Sequence, residues 1–521
     1  MGGPRAATDA RFDHVVVVMF ENRSFDNLLG FLYRPGEVRE FEGVGGRALA
    51  NPVPAEFPDT RPRTIPVHAA TNMDTPDPDP GEEYPHINTQ LFGTVAPPGN
   101  ASLPPDDMLS PYNAPASSTP VPTMDGFVTD YYHTFRYEMG RSPSYDELAQ
   151  IMAAYTPEQL PVVSALARGF ACFDHWFCEV PSQTYPNRSF FHAASSSGFV
   201  LNGPPGKFAT GNGAETIFER LSKAGRTWKV YVDPEQLLPA TGLIHASRLA
   251  PFFGTHFSTV FDFYEEARLG RLPDYAFLEP NMLHPHADMH PPGAARIRHD
   301  LGLPPPASMA GGEQLLARVY EAVRTSSTST GSNWSNTLML VTFDEHGGIF
   351  DHVPPPPAPP PGDGRPPEQG FAFDRSGVRI PTLAVSAWID PQTVVTPVFR
   401  STSVIRTLRE RWSLGPPLTN RDAAAPDIAP ILTRAEPRPP AEWPRVVAKP
   451  LGFGAKVVDF FERPLARLER DLVGEAMMHE SRVTGRAIDE VRTLRTRGDA
   501  HRHGTRIRDQ FFPGVAGGRK R

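Results

Sequence analysis

FDHVVVVMFENRSFD, residues 12–26, carries the reading of the fold. Its six consecutive apolar residues, Val15 to Phe20, are too few to span a membrane. They show no polar alternation either, so they suit a strand buried on both faces, as in a parallel sheet. The strand runs straight into Glu21-Asn22. TLMLVTFDE, residues 337–345, has the same build and ends in Asp344-Glu345. WKVYV (228–232), YAFLE (275–279) and PTLAVS (381–386) are further apolar runs, and helical patterns at 145–154, 215–224 and 312–324 lie between them. Strands alternating with helices predict a doubly wound, mainly parallel α/β sheet.

Open α/β sheets bind ligands outside the carboxyl ends of their strands. Two strands here end in oxygen-bearing side chains. Hard or borderline divalent metals take carboxylate and side-chain amide oxygens, so Glu21, Asn22, Asp344 and Glu345 are candidate ligands of one divalent ion. The competing reading is capping: Asn22 or Ser24 for a helix at 25–32, Asp344 for a turn.

A third element is PSQTYPNRSFFHAASSSG, residues 181–198. Pro186 suits the first turn of a helix, which puts the Thr184 hydroxyl near the amino terminus of that helix. Free N–H groups and the positive dipole end make such a place a natural phosphate site. Thr184 is therefore placed for nucleophilic attack, activated if a metal lowers its pKa. Asn187 and Arg188 are expected to hold non-bridging oxygens. Read alone, Thr184 is better taken as an N-cap. Histidines supply the fourth element. His86, His284, His286, His290, His346 and His352 stand in loops near these motifs. One would protonate a leaving group, and others, His352 among them, would bind phosphate or a second metal; the bland alternative is a surface or packing role.

The chain has 521 residues, 60 prolines and 43 glycines. Such proline content means long, rigid loops around a scaffold. The stretches 33–125 and 280–311 are rich in proline and polar residues, and long irregular segments of this kind usually cover or line a site. A net charge of −8 argues against a dedicated nucleic-acid binder. The charge is uneven: residues 451–521 hold 15 Lys+Arg against 10 Asp+Glu. Cys172 and Cys178 are the only cysteines. Two do not make a disulfide framework or a structural zinc site, and buried free thiols are expected. The first 14 residues hold no apolar leader region and no twin arginine, so the chain as given is expected to be cytoplasmic, or exported if a signal was removed.

After about residue 437 the character changes. Val457, Val458, Phe461, Leu465, Leu468, Leu472 and Val473 recur at helical spacing between charges. The expected division is a catalytic domain over 1–437 and a helical extension over 438–521, with amphipathic helices in 453–496 and a basic tail. The extension is a candidate for peripheral contact with an anionic membrane.

Several segments together resemble a known family. FDHVVVVMFENRSFDNLLGFL, ALARGFACFDHWFCEVPSQTYPNRSFF, DMHPP, GEQLLARVYEAV, VTFDEHGGIFDHVPPP, GVRIPTLAVSAW and SVIRTLRERW are similar, in this order, to the bacterial phosphoesterase family of phospholipases C and acid phosphatases, covering roughly residues 12–425. The resemblance implies an alkaline-phosphatase-like fold and metal-dependent hydrolysis of phosphoesters. It implies Glu21, Asn22, Asp344 and Glu345 as metal ligands, Thr184 as nucleophile and further ligand, and His86 and His290 as active-site histidines. The implied mechanism has two steps: Thr184 attacks phosphorus in line, His290 or His86 protonates the leaving alcohol, and water then hydrolyses the phosphothreonine. A phospholipase C-like phosphodiesterase is the leading expectation, with a phospholipid as substrate. An acid phosphomonoesterase is the alternative, and a binding or scaffold module on the same fold is the non-enzyme reading. Two departures stand out. Met289 occupies a position where the family often has a histidine, and PSQ replaces the usual glycine-proline pair before Thr184.

Overall fold

The apolar runs pair into one eight-stranded sheet. Its strands are β1 (His14–Phe20), β2 (Ala171–Phe173), β3 (Trp228–Val232), β4 (Phe257–Thr259), β5 (Tyr275–Glu279), β6 (Thr337–Phe343), β7 (Thr382–Val385) and β8 (Thr393–Val395), in the spatial order β8-β2-β7-β6-β1-β5-β3-β4. β1 lies parallel to β6 and β5, and β5, β3 and β4 continue in parallel. β7 runs antiparallel to both β6 and β2. The sheet is thus mainly parallel with one reversed strand. The computed structural model describes residues 11–58, 63–116, 121–234, 236, 238–282, 287–291, 308–450, 467–485 and 497–516.

Val15 through Phe20 are buried without interruption. Because neighbouring residues of a strand face opposite sides, this requires cover on both faces. The five runs read from the sequence are all strands of this sheet. β2, β4 and β8, at three residues each, are too short to leave a period. Cys172, in β2, and Cys178 are buried and free, as expected.

The strand-to-helix turns follow local rules. α1 (Phe25–Leu29) is capped by Ser24, whose hydroxyl accepts from Asn27 N. Asn22 instead adopts a left-handed conformation at φ 56°, which asparagine tolerates better than most residues. The capping alternative therefore falls to Ser24 and leaves Asn22 for the site. α2 (Tyr84–Phe92) and α3 (Phe127–Met139) pack on each other beside the site. α4 (Thr184–Ala193) begins at Thr184 with Gln183 as its N-cap, so Thr184 is the first helical residue rather than the cap.

The carboxyl-terminal segment is helical where described, as α5 (Arg467–Thr484), α6 (Arg497–Phe511) and α7 (Pro513–Ala516). The expected helical residues 453–466 and 486–496 lie outside the described residues, as do His284 and His286. A basic tail from about residue 497 was expected. Instead, Leu472, Val473, Ala476, Ala500, Ile507, Phe512 and Val515 are buried in the same core as the sheet. The Phe512 ring centre lies 4.3 Å from that of Phe253 and, edge-on, 5.3 Å from that of Phe257. The physical reason is amphipathicity: one apolar stripe of α6 is covered, while Arg502 stays exposed and Arg506 pairs with Glu480. Among the described residues no helix is long and apolar enough to cross a membrane.

Candidate active site

In-register pairing of Phe20 with Phe343 brings the carboxyl ends of β1 and β6 side by side. Asp344 N donates to Phe20 O at 3.2 Å, and Asn22 N donates to Asp344 Oδ1 at 3.2 Å. Two glycines let the turns after these strands close on each other. A Cβ on Gly347, at φ 64°, would come within 2.5 Å of Asn22 O, and one on Gly348 within 2.4 Å of Gly81 O.

Six of the residues singled out in the sequence meet here: Glu21, Asn22, Thr184, Arg188, Asp344 and Glu345, all buried. Arg188 Nη2 donates to Glu21 Oε1 at 2.7 Å and Nε to Asp344 Oδ2 at 3.2 Å. The Thr184 hydroxyl lies 3.5 Å from Glu21 Oε2. Glu345 Oε2 accepts from Gly347 N at 2.6 Å. Burial, then the Asp344 carboxylate, raises the Glu21 pKa well above the usual carboxylate range, with Arg188 opposing. Glu345 is likewise raised by burial and by its neighbours Glu82 and Asp344.

His290 joins this cluster through Asn22. Asn22 Nδ2 donates to Glu82 Oε2 at 2.5 Å and lies 3.0 Å from His290 Nε2, while His290 Nδ1 is 2.5 Å from Pro291 O. Burial opposes charge on His290, but Asp79, Glu82, Glu21 and Asp288 outweigh it and push its pKa up to about 10.

His86 stands one layer further out, on α2. Its Nδ1 donates to Asp130 Oδ1 at 2.7 Å, and its Nε2 is 3.8 Å from Glu83 Oε2. Gln183, the residue before Thr184, donates to the other oxygen of Glu83 at 3.4 Å.

Two expected substrate contacts are corrected by the geometry. Asn187 is consumed by the loop before Thr184: its Oδ1 accepts from Glu179 N and Val180 N, and its Nδ2 donates to Val180 O, Ser182 O and Gln183 O. A side chain with five backbone bonds has no group left for phosphate, and it fixes the loop that carries the hydroxyl. His352 belongs to a separate cluster. Its Nδ1 is 2.6 Å from Asp26 Oδ2, and Arg379 ties Asp26 and Asp351 together at 2.9 Å each. Met289, at the departure from the family pattern, is buried beside Gly312 and accepts Arg23 Nε through its carbonyl at 2.8 Å.

The donor set fits a cation. Asn22 Oδ1 and Glu345 Oε1 are buried without a hydrogen-bond partner among the described residues. An orphaned buried carboxylate oxygen is costly unless a proton or a cation answers it. Acids outnumber bases here, with Glu21, Glu82, Asp344 and Glu345 against Arg188 and His290. Arg188 Nη1 is also buried without a partner, so the guanidinium keeps one N–H edge for an anion. Asp79, Glu82 and His290 bring three further donor atoms within 4.8 Å of one another.

Sequence reasoning missed Glu82, Asp79, Asp130 and Gln90. The signal for the first two was the acid-dense DTPDPDPGEEY just before His86, inside the loop expected to line a site. Asp130 and Gln90 carry no motif; only the packing of α3 on α2 reveals them.

Comparison with known proteins identifies the family. The pattern of the family described as "Phosphoesterase family" matches residues 12–415. Non-specific phospholipase C1 of Arabidopsis thaliana is 31% identical over 485 residues, 89% of this chain and 80% of that protein. Phospholipase C B of Mycobacterium tuberculosis is 27% identical over 496 residues, 86% of this chain and 83% of that protein. Among solved structures, a protein of the alkaline phosphatase superfamily from Vibrio parahaemolyticus aligns at 12% identity and a TM-score of 0.29, over 53% of this chain and 63% of that one.

Proposed function

The chain belongs to the phosphoesterase family and hydrolyses phosphoric ester bonds, and on that premise we propose a phospholipase C-type phosphodiesterase that works through Thr184. The observation that carries this is the place of one hydroxyl. Thr184 opens α4, 3.5 Å from Glu21 Oε2. It thus stands where the acidic ends of β1 and β6 meet the amino terminus of a helix. The phospholipase assignment follows the relatives, which are phospholipases C over more than four-fifths of this chain.

Each side chain has a part. Thr184 Oγ1 attacks phosphorus and displaces the alcohol, forming a phosphoryl–threonine ester that water then cleaves. The amino end of α4 favours the negative phosphoryl oxygens, and Arg188 Nη1 donates to one of them. Arg188 also holds Glu21 and Asp344 in place. A divalent ion held by Glu21, Asn22, Asp344, Glu345 and the Thr184 hydroxyl would supply positive charge that lowers the hydroxyl pKa and offsets charge on the phosphoryl group. A histidine, His86 or His290, gives its proton to the leaving alcohol.

The test compares substrates. Phosphatidylcholine in mixed micelles and p-nitrophenyl phosphate are assayed from pH 5 to 9. Faster turnover of the lipid diester supports the phosphodiesterase. A strong preference for the monoester with an acidic optimum would assign an acid phosphomonoesterase instead. Hydrolysis of neither would reject the reading.

A further inference from the structure

A buried chain of polar side chains runs from His86 to His346. His86 Nδ1 donates to Asp130 Oδ1 at 2.7 Å. Asp130 Oδ2 accepts from Gln90 Nε2 at 2.8 Å. Gln90 Oε1 accepts from His346 Nε2 at 2.8 Å, and there the chain of hydrogen bonds ends: His346 Nδ1 is 3.3 Å from Glu345 Oε2 without bonding to it. Asp130, Gln90 and His346 are all buried, so water does not compete for these bonds. Gln90 is also pinned by a second bond from Nε2 to Gly81 O at 2.7 Å. Its amide orientation is therefore dictated: the N–H edge faces acceptors and the carbonyl faces His346.

We infer that Asp130 is the positioning residue that makes His86 the proton donor to the leaving alcohol, and that Gln90, itself held by Gly81 and His346, fixes the Asp130 carboxylate. The inference rests on the phosphodiesterase reading and deepens it by choosing between two histidines. A carboxylate bonded to Nδ1–H fixes the tautomer and ring orientation and stabilises the imidazolium, so that the proton to be transferred sits on Nε2. The Nε2 edge faces Glu83, which also receives Gln183 next to Thr184. His86 thus addresses the nucleophile's side of the site. His290 is differently placed: its Nε2 lies 3.0 Å from the Asn22 amide and its Nδ1 2.5 Å from Pro291 O, so both nitrogens are engaged by the wall of the site.

In the chemical step, the Thr184 hydroxyl passes its proton to Glu21 Oε2, 3.5 Å away, as its oxygen bonds phosphorus and the bond between phosphorus and the leaving oxygen breaks; Glu21 returns that proton when water frees the threonine. The Nε2 proton of the His86 imidazolium goes to the departing oxygen, and neutral His86 remains, bonded to Asp130. The imidazole then takes a proton from the water that cleaves the threonine ester.

The experiment uses Asp130→Asn, which keeps shape but removes the charge, in the full chain. Ethyl p-nitrophenyl phosphate, whose leaving group needs little protonation, is compared with ethyl phenyl phosphate, which needs more. The expected result is a fall in kcat on the order of 10²-fold for the phenyl ester, a clearly smaller fall for the nitrophenyl ester, and unchanged KM. Asp130→Glu should recover part of the loss. An equal loss on both esters, or none, would overturn the inference. A readout independent of turnover is the ¹⁵N-imidazole spectrum of His86, whose strongly hydrogen-bonded Nδ1–H signal should disappear in Asp130→Asn. If the wild type cleaves neither ester, the phosphodiesterase reading fails by itself. The spectrum then decides the pairing: an unchanged His86 signal in Asp130→Asn refutes it.

Discussion

Arg188 donates to Glu21 at 2.7 Å with both side chains fully buried, and the same guanidinium reaches Asp344 at 3.2 Å. One cation thus holds the carboxylates of two adjacent strand ends. Breaking a buried pair by deleting one partner costs roughly 3–5 kcal/mol, because the remaining charge stays buried. Arg188→Ala should lose stability of that order in urea unfolding. Arg188→Lys, which cannot fork between two carboxylates, should lose less stability but most activity. A wild-type urea midpoint in Arg188→Ala would contradict the bridge.

The metal prediction follows from the orphaned oxygens of Asn22 and Glu345. Chelation should abolish turnover, and Glu21→Ala, Asn22→Ala and Asp344→Ala should each bind less divalent ion in elemental analysis of purified protein. Wild-type ion content in all three would show that the ligand set is misassigned.

A pH effect on stability is expected from α5. The Glu475 carboxylate bonds Phe208 N at 3.2 Å and Ala209 N at 2.6 Å, yet burial dominates and lifts its pKa from 4.5 to about 7. A raised acid binds its proton more tightly when folded. Its contribution is complete below the unfolded value and is lost as pH rises through the folded one. Between pH 4.5 and 7 the wild type should therefore lose stability relative to Glu475→Gln, by about 1.4 kcal/mol per unit. A constant difference between the two proteins across that window would refute the assignment.

The carboxyl-terminal helices give the fourth prediction. Phe512 is fully buried between Phe253 and Phe257. Phe512→Ala should cost about 3–5 kcal/mol, and deletion past residue 500 should do at least that. A truncation without effect on thermal unfolding would mean that these helices add nothing to the core.

Much of this was legible in the sequence, and the reasons are particular. Val15–Phe20 and Thr337–Phe343 declared themselves because a doubly covered strand must be apolar throughout, and the acids after them could be read off their ends. The place of Thr184 at a helix start could be read from Pro186, which suits a first turn. Asn187 was misjudged because spacing shows where an amide sits but not what it bonds to. His352 was misjudged because Asp26 and Arg379, from distant parts of the chain, claim it. Asp130 was invisible for the same reason: its meaning comes from His86, which lies 44 residues away.

The central claim is that Thr184 carries the phosphoryl group, and acid-quenched turnover of a ³²P-labelled diester followed by peptide mapping tests it most directly. The account predicts label on the peptide containing Thr184, partial activity in Thr184→Ser, and, in Thr184→Ala, no label with turnover lower by at least about 10³-fold. Near-wild-type turnover in Thr184→Ala, or label on another residue, would contradict it.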